Sequence, residues 1–493
     1  MKTKKLRIKN PDTLLKSKLQ KLGAKYYRAS MSWLIEDTEQ TRRLLGDQPE
    51  QIPEVTPLPC LRDHQVQAVE KINEIGSLGI WFDCGTGKTL IGVTLACSQK
   101  PALVLCKATL IHVWLEEFER FAPDMKVADI SKVLKNPKTT DIPESDVYIC
   151  GFELYWRRSA VLNYNFKSLI IDESTKVSNP KTKIYKAVSL LSQHVPITIL
   201  LSGTPAPNNE LQYIPQINLI NPLLFGRNMR IQEELWGYRP NPMYPKYITR
   251  PEKKDELLKL VEQVSISCRK DDVLDLPEQQ HIIRKFDLLP AELKKYKQLK
   301  KDALLELEDN QNITFDHLLT VIGKLKQFTG GHVLVEGVPQ EVSKSKLQQL
   351  ETLLEEIGNN QIVIWTEYRA ESAAIKQLLP DAVMVTGETP TDEKADVLQK
   401  FTSGQKQYLI TNRCLAWGCR LHMVSYAVYY SLPFSAEQYI QSQARIHRAG
   451  QTNKCIYYYL LANNTADVIV YKTLTEKSEQ SEEFLKYLSS VRV

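Results

Sequence analysis

Three short stretches of this chain carry residue types that handle phosphate. Gly85-Thr86-Gly87-Lys88-Thr89 follows an apolar run and opens a helical stretch that continues through Ala96. Strand, loop, then helix is the context of a phosphate-cradling P-loop. Backbone N–H groups at such a helix start point at the phosphates. Lys88 would reach the β- and γ-phosphates, and Thr89 would hold Mg2+. The full eight-residue signature has a glycine where this chain has Phe82, so the match is partial. The second stretch, Leu169-Ile170-Ile171-Asp172-Glu173, sets two carboxylates just after an apolar run. Asp172 suits a second Mg2+ contact, and Glu173 suits orienting and deprotonating an attacking water. Acidic residues that merely close a strand would look the same. In the third stretch, residues 441–451, Arg445 and Arg448 stand three apart in a region that reads as helical. Such a pair shares a helix face, and a guanidinium matches the geometry of phosphate oxygens. Its natural target is the charge that develops on a transferred phosphoryl group. Alone, the two arginines also fit a solvated basic face.

Two weaker signals flank these. Leu201-Ser202-Gly203-Thr204-Pro205 ends an apolar strand, and ligands sit at such carboxyl ends in open α/β sheets. Gln65, in Leu61-Arg62-Asp63-His64-Gln65, can read both the donor and the acceptor on an adenine edge, although a lone glutamine is usually surface.

These pieces must be positioned by folded elements, and the chain is long enough to build them. At 493 residues it exceeds one ordinary core, so two to four domains are expected. A composition 43% hydrophobic and 25% charged is that of a globular protein. The net charge of +6 permits a polyanionic partner without demanding one. The nine cysteines show no paired metal spacing, and several sit in apolar runs as small core residues. Free thiols in that number suggest a reducing compartment. No apolar run is long enough to span a membrane, and the basic start of the chain lacks the apolar stretch of a secretory signal. The expected location is therefore the cytoplasm, on the nucleoid in a bacterial host, with no membrane partner.

Residues 1–55 read as a polar accessory segment. Residues 14–22 could form a short amphipathic helix, Tyr26-Tyr27 and Trp33-Leu34-Ile35 a small hairpin, and the proline-spaced residues 53–59 a linker. Apolar runs at 80–82, 102–106, 147–150, 169–171 and 197–201 alternate with helical stretches, the signature of a doubly wound α/β layer. That rhythm defines a first lobe over 56–225. Residues 226–345 break it and read as a charged helical insert and lobe linker. A second rhythm, with strands at 361–365, 382–385, 408–411, 427–430 and 455–461, defines a second lobe over 346–480, followed by a tail at 481–493.

In order, the motifs resemble helicase superfamily two, and more narrowly its Swi/Snf-type DNA translocases. The resemblance covers most of 58–480. It is strongest in Leu200-Leu201-Ser202-Gly203-Thr204-Pro205-Ala206-Pro207-Asn208-Asn209-Glu210-Leu211, in Asn221-Pro222-Leu223-Leu224-Phe225-Gly226, and in 441–451, which fits Q-x-x-x-R-x-H-R-x-G-Q. Residues 269–277 are similar to the family's basic segment at the lobe junction. The resemblance implies two RecA-like lobes that close on ATP and reopen after hydrolysis. It implies ATP and Mg2+ as cofactors. Gln65, Gly85, Thr86, Gly87, Lys88, Thr89, Asp172 and Gly418 would bind them, with Thr89 and Asp172 on the metal. Lys88, Glu173, Arg445 and Arg448 would serve hydrolysis, the two arginines from the second lobe. Thr109, Thr204, Thr386 and Arg413 would lie along the DNA. The chain also departs from the family pattern. Ser174-Thr175 stands where Ala-His is usual, Leu415-Ala416 where paired glycines are common, and Arg420 where Asn is usual. The first departure puts the coupling of hydrolysis to DNA in question. Residues 1–50 weakly resemble the HARP-like module of some annealing helicases.

The activity so implied is DNA-dependent ATP hydrolysis coupled to translocation on duplex or branched DNA, remodelling or annealing it in replication, recombination or repair. A compact bacterial or phage member is expected, with replication, repair or nuclease partner proteins. The alternatives are the motor subunit of a restriction or defence complex and a non-hydrolysing DNA-binding scaffold.

Overall fold

The structure is a computed structural model. It describes residues 5–9, 16, 19–20, 22–27 and 32–36, and then 52–475 apart from 135, 137–141, 159–163, 208, 227, 240–246, 309–314, 413–414 and 416–418. The expected helix at 14–22 and the tail at 481–493 lie largely or wholly outside the described residues. So do Arg413 and Gly418. The chain divides into two compact units, Met1–Leu274 and Asp275–Val493.

In the first unit a seven-stranded sheet forms among the described residues. Its order is Ser265–Cys268, Leu78–Phe82, Ile197–Leu201, Ser168–Asp172, Ala102–Cys106, Val147–Gly151 and Val127–Asp129, and every neighbouring pair is parallel. Strands Leu78–Phe82, Ala102–Cys106, Val147–Gly151 and Ile197–Leu201 are buried along their whole length. Parallel strands are covered by helices on both faces, so they read as continuous apolar runs rather than as alternation. The covering helices are amphipathic. Ile111–Phe121, for example, buries Ile111, Trp114 and Phe118 at spacings of three and four. Because all seven strands run the same way, their carboxyl ends share one edge of the sheet.

A small antiparallel sheet precedes this layer. Lys25–Tyr27 pairs with Ser32–Glu36, placing Tyr26 opposite Trp33 with ring centroids 5.3 Å apart. That is the hairpin expected from sequence. Lys5–Lys9 adds a third strand that its lysine-rich composition did not announce. The proline-spaced stretch after it is not a free linker. Val55 is fully buried, its N–H donates to Asn73 Oδ1 at 2.8 Å, and its carbonyl accepts from Asn73 Nδ2 at 2.9 Å.

In the second unit the described strands form a six-stranded parallel sheet. Its order is Gln279–Phe286, Cys455–Ala462, Tyr426–Tyr429, Ile362–Trp365, Tyr408–Thr411 and Val383–Val385. Residues 226–345 do hold the helices Lys254–Gln263, Pro290–Glu308 and Phe315–Thr329. They also supply Ser265–Cys268 and Gln279–Phe286, each an edge strand of one of the two large sheets. An edge strand is partly solvated and carries polar residues, so no apolar run marked either one.

The second unit buries an ion pair. Lys346 Nζ lies 2.5 Å from Asp467 Oδ2, and the two side chains are 1% and 4% exposed. Thr329 Oγ1 donates to Asp467 Oδ1 at 2.8 Å, which satisfies the other oxygen. Removing one partner leaves a buried charge without compensation. Asp467→Ala is therefore expected to lower unfolding free energy by about 3–5 kcal/mol, read by denaturant titration, whereas exposed Lys406→Ala, which loses a 3.4 Å contact to Asp381, should change it by less than about 1 kcal/mol.

Candidate functional site

Five residues separate the end of strand Leu78–Phe82 from the start of helix Lys88–Ser98, and the loop they form has the geometry that phosphate binding requires. Gly85 and Gly87 adopt φ of 92° and 88°, a region costly for any side-chain-bearing residue. Gly87 is the residue before the helix, so the unpaired N–H groups of its first turn lie at the loop. Lys88 Nζ donates to the carbonyls of Phe82 and Asp83 at 2.7 and 3.1 Å, which holds the ammonium inside the loop. Thr86 closes the turn from within, its hydroxyl donating to Asp83 O at 2.8 Å.

Residues far away in sequence brace this loop. His64 Nε2 bonds to the Thr86 carbonyl at 3.0 Å. Gln65 Nε2 donates to Gly87 O at 2.9 Å, while its Oε1 accepts from Arg62 N at 2.8 Å. The amide expected to read adenine thus bonds the P-loop through its nitrogen and the start of its own helix through its oxygen, and Gln65 is buried. On the other side, Asp83 Oδ2 accepts from Lys270 N at 3.0 Å and Asp83 N donates to Cys268 O at 3.0 Å. The edge strand Ser265–Cys268 and the basic segment after it therefore anchor the loop's first residue.

The neighbouring strand ends bring up the rest. Ile197–Leu201 runs into the Ser202-Gly203-Thr204 turn, where a Cβ on Gly203 would stand 2.7 Å from Cys84 Sγ and 3.4 Å from Lys88 Nζ. Thr204 Oγ1 is buried with no partner among the described residues. Ser168–Asp172 ends at the two carboxylates. Asp172 Oδ2 accepts from Trp114 Nε1 at 2.9 Å. Desolvation pushes the Asp172 carboxyl above its usual range, opposed by that hydrogen bond and by the charge of Lys88. Glu173 is buried in the left-handed conformation, with φ of 53°. Thr109 lies exposed in the short turn Ala108–Leu110 beyond strand Ala102–Cys106. Four adjacent strands thus deliver Lys88, Gly203, Asp172 and Thr109 to one edge.

This arrangement fits a nucleotide triphosphate with a divalent cation. A glycine cradle that a Cβ would strain, a helix start and one ammonium suit the phosphates. The Thr89 hydroxyl and the Asp172 carboxylate are the oxygen donors that Mg2+ prefers.

In the second unit the arginine stretch departs from the expected helix. The helix there is Ala436–Gln443, and Arg445 and Arg448 lie in the turns beyond it. The helix stops because the following residues are captured by the loop before them. Arg445 Nη1 donates to Cys419 O at 3.2 Å, its Nε donates to Gln441 O at 3.3 Å, and its carbonyl accepts from Leu421 N at 3.1 Å. Gln451 Nε2 donates to Val424 O at 2.8 Å, and Gly450, at φ of 98°, packs against His422. His447 is held by Gln279 Nε2 at 2.7 Å and by Pro277 O at 2.8 Å. The guanidinium of Arg445 thus braces two carbonyls. Thr386, after strand Val383–Val385, is buried, and its hydroxyl accepts from Glu388 N at 3.4 Å.

Sequence reasoning passed over His64, Asp83, Trp114, Gln216 and His447. His64 and His447 carried a signal, each lying inside a quoted motif, and Trp114 closes the stretch Leu103–Trp114, which also resembles the family.

Two parallel α/β units, a P-loop and an acidic strand end beside it define an ATPase core of helicase superfamily two. Residues 10–331 match the SNF2-related domain and residues 345–450 the helicase conserved C-terminal domain. The chain belongs to the SNF2-related family, and it is an ATP-hydrolysing enzyme. It is 25% identical over 480 residues to the uncharacterized ATP-dependent helicase YqhH of Bacillus subtilis, spanning 89% of this chain and 81% of that protein. It is 23% identical to the DNA annealing helicase and endonuclease ZRANB3 of Mus musculus, over 86% of this chain but 40% of that protein. The chain thus spans about two fifths of such animal relatives. Alignment with the Sulfolobus solfataricus SWI2/SNF2 ATPase core in complex with dsDNA covers 90% of this chain and 95% of that one, at 21% identity and a TM-score of 0.42.

The packing of Gly203 makes a direct test. Gly203→Ala forces the turn away from Cys84 and Lys88. It is expected to lower the first unit's unfolding free energy by about 1–3 kcal/mol and to weaken ATP binding, measured by denaturant titration and nucleotide titration.

Proposed function

We propose that the chain couples ATP hydrolysis to translocation on duplex or branched DNA, remodelling or annealing it during replication, recombination or repair. The observation that carries this reading is the shared edge of the first unit, where the P-loop, the acidic pair, the Ser202–Thr204 turn and Thr109 stand on adjacent strand ends. The first two suit a nucleotide, and the last two lie beside them, with Thr109 exposed. Names of relatives support the reading, among them a DNA annealing helicase in mouse and a DNA repair and recombination protein in yeast.

In this reading Lys88 and the amides of the Gly87–Lys88 helix start bind the phosphates. Thr89 and Asp172 hold Mg2+, which when bound neutralises charge on the phosphate oxygens. Glu173 orients the attacking water and takes its proton. Arg448 stabilises the charge that develops on the transferred group, and Arg445 holds the turn that presents it. Thr109 and Thr204, with Arg413 and Thr386, contact the DNA backbone, so recognition is largely independent of sequence. The setting proposed is the cytoplasm of a bacterial host, on the nucleoid, with replication, repair or nuclease proteins as partners.

The deciding measurement is ATP hydrolysis with no nucleic acid, single-stranded DNA, duplex, forked DNA and RNA. Stimulation by duplex or forked DNA is expected, and equal rates without DNA would refute the reading. Lys88→Ala should lower hydrolysis by roughly 10²–10³-fold. Arg448→Ala should cost at least about 10³-fold with ATP binding retained. Arg445→Ala should lower the unfolding midpoint as well. DNA affinity should fall steeply between about 50 and 200 mM salt.

A further inference from the structure

A buried hydrogen-bonded chain joins the acidic strand end to the Ser202–Thr204 turn. Ser174, the residue after Glu173, donates its hydroxyl to Gln216 Oε1 at 2.6 Å. Gln216 Nε2 donates to Pro205 O at 2.7 Å and to Gln212 O at 2.8 Å. Both side chains are 0% exposed. The amide can point only one way, because flipping it would set its oxygen against two carbonyls. Gln216 belongs to helix Tyr213–Ile220, whose other buried residues include Ile214, Ile217 and Leu219. Packing that helix needs no amide at this position. A polar group there is tolerable only when it is fully bonded, and a fully bonded network fixes the relative placement of what it joins. At one end it joins Pro205, which closes the turn whose Gly203 lies against Cys84 and Lys88. At the other end it joins the residue beside Glu173, held at φ of 53°.

We infer that Gln216 is a positioning residue, transmitting displacement of the Ser202–Pro205 turn through Ser174 to the Glu173 carboxylate. The inference rests on the proposed function. DNA bound along the shared strand edge displaces the turn at half-buried Thr204, the Pro205 carbonyl carries the Gln216 amide with it, and the amide draws Ser174. Glu173 then swings toward the attacking water. The hydroxyl of Ser174 is essential to this route, and an alanine there would break it. The departure at Ser174-Thr175 is thus a different route for coupling hydrolysis to DNA rather than the loss of one.

The test compares Ser174→Ala, Gln216→Leu and the double variant, measuring hydrolysis with and without duplex DNA, KM for ATP, duplex affinity and unfolding midpoint. Basal rate, KM for ATP and duplex affinity should stay within about twofold of wild type, while the DNA-stimulated rate falls roughly five- to tenfold, the worth of one or two hydrogen bonds. The double variant should fall no further than either single one, because both break the same link. Ser174→Ala removes one oxygen atom and keeps the test available if Gln216→Leu does not fold. Full stimulation in Ser174→Ala overturns the inference. So does a parallel fall in basal and stimulated rates with the unfolding midpoint, since that marks a purely structural role. Absence of DNA stimulation in the wild type would instead overturn the proposed function.

Discussion

Lys88 donates to the carbonyls of the last strand residue and the one after it, Phe82 and Asp83. This short contact ties the charge of the site to the end of a fully buried strand. The strand cannot slip by a residue without moving its side chains to the opposite face of the sheet, so the sheet fixes the position of the ammonium. Asp83 is in turn held through Cys268 and Lys270. The carbonyls of Thr86 and Gly87 are held by His64 and Gln65. Two segments remote in sequence therefore converge on a loop of five residues. A loop that binds by its backbone amides must be fixed before its ligand arrives, and these bonds supply that preorganisation.

The arginine stretch solves the same problem with side chains. A guanidinium on a frayed helix end would sample many rotamers, and ordering it would oppose catalysis. Here the backbone around Arg445 is pinned by Leu421, and its side chain by Cys419 and Gln441. His447 fixes the following residue against Pro277 and Gln279. Arg448 thus leaves a backbone restrained on both sides. The tethers over 445–451 give the stretch its particular spacing, since the side chains of Arg445, His447 and Gln451 each bond specific partners.

What could be read from the sequence follows from what the chemistry constrains. The Gly85–Thr89 loop and the acidic strand end could be placed on the first sheet because each closely follows an apolar run that forms a buried strand. The buried strands were legible because full burial demands unbroken apolar runs, as at Ala102–Cys106 and Ile197–Leu201. Ser265–Cys268 and Gln279–Phe286 were not, because an edge strand keeps its polar residues and is defined by pairing rather than by composition. The end of the helix at Gln443 was also hidden. No Gly or Pro stands there, and the stop is imposed by long-range bonds to residues 419–424. The roles of Gln216 and Trp114 were hidden for a related reason. A single amide or indole acquires meaning only from the partner that folding brings beside it.

The phenylalanine in place of the first signature glycine shows how the two kinds of constraint meet. Phe82 is fully buried, and its ring lies 5.5 Å from that of His64, the residue bonded to the Thr86 carbonyl. A glycine at this position would leave the space under His64 unfilled and loosen the brace it provides. The conformational demand of the loop falls elsewhere, on Gly85 and Gly87, which alone among its residues take positive φ. The partial match to the P-loop pattern is therefore complete where the backbone requires glycine, and it differs only where a buried strand end requires volume.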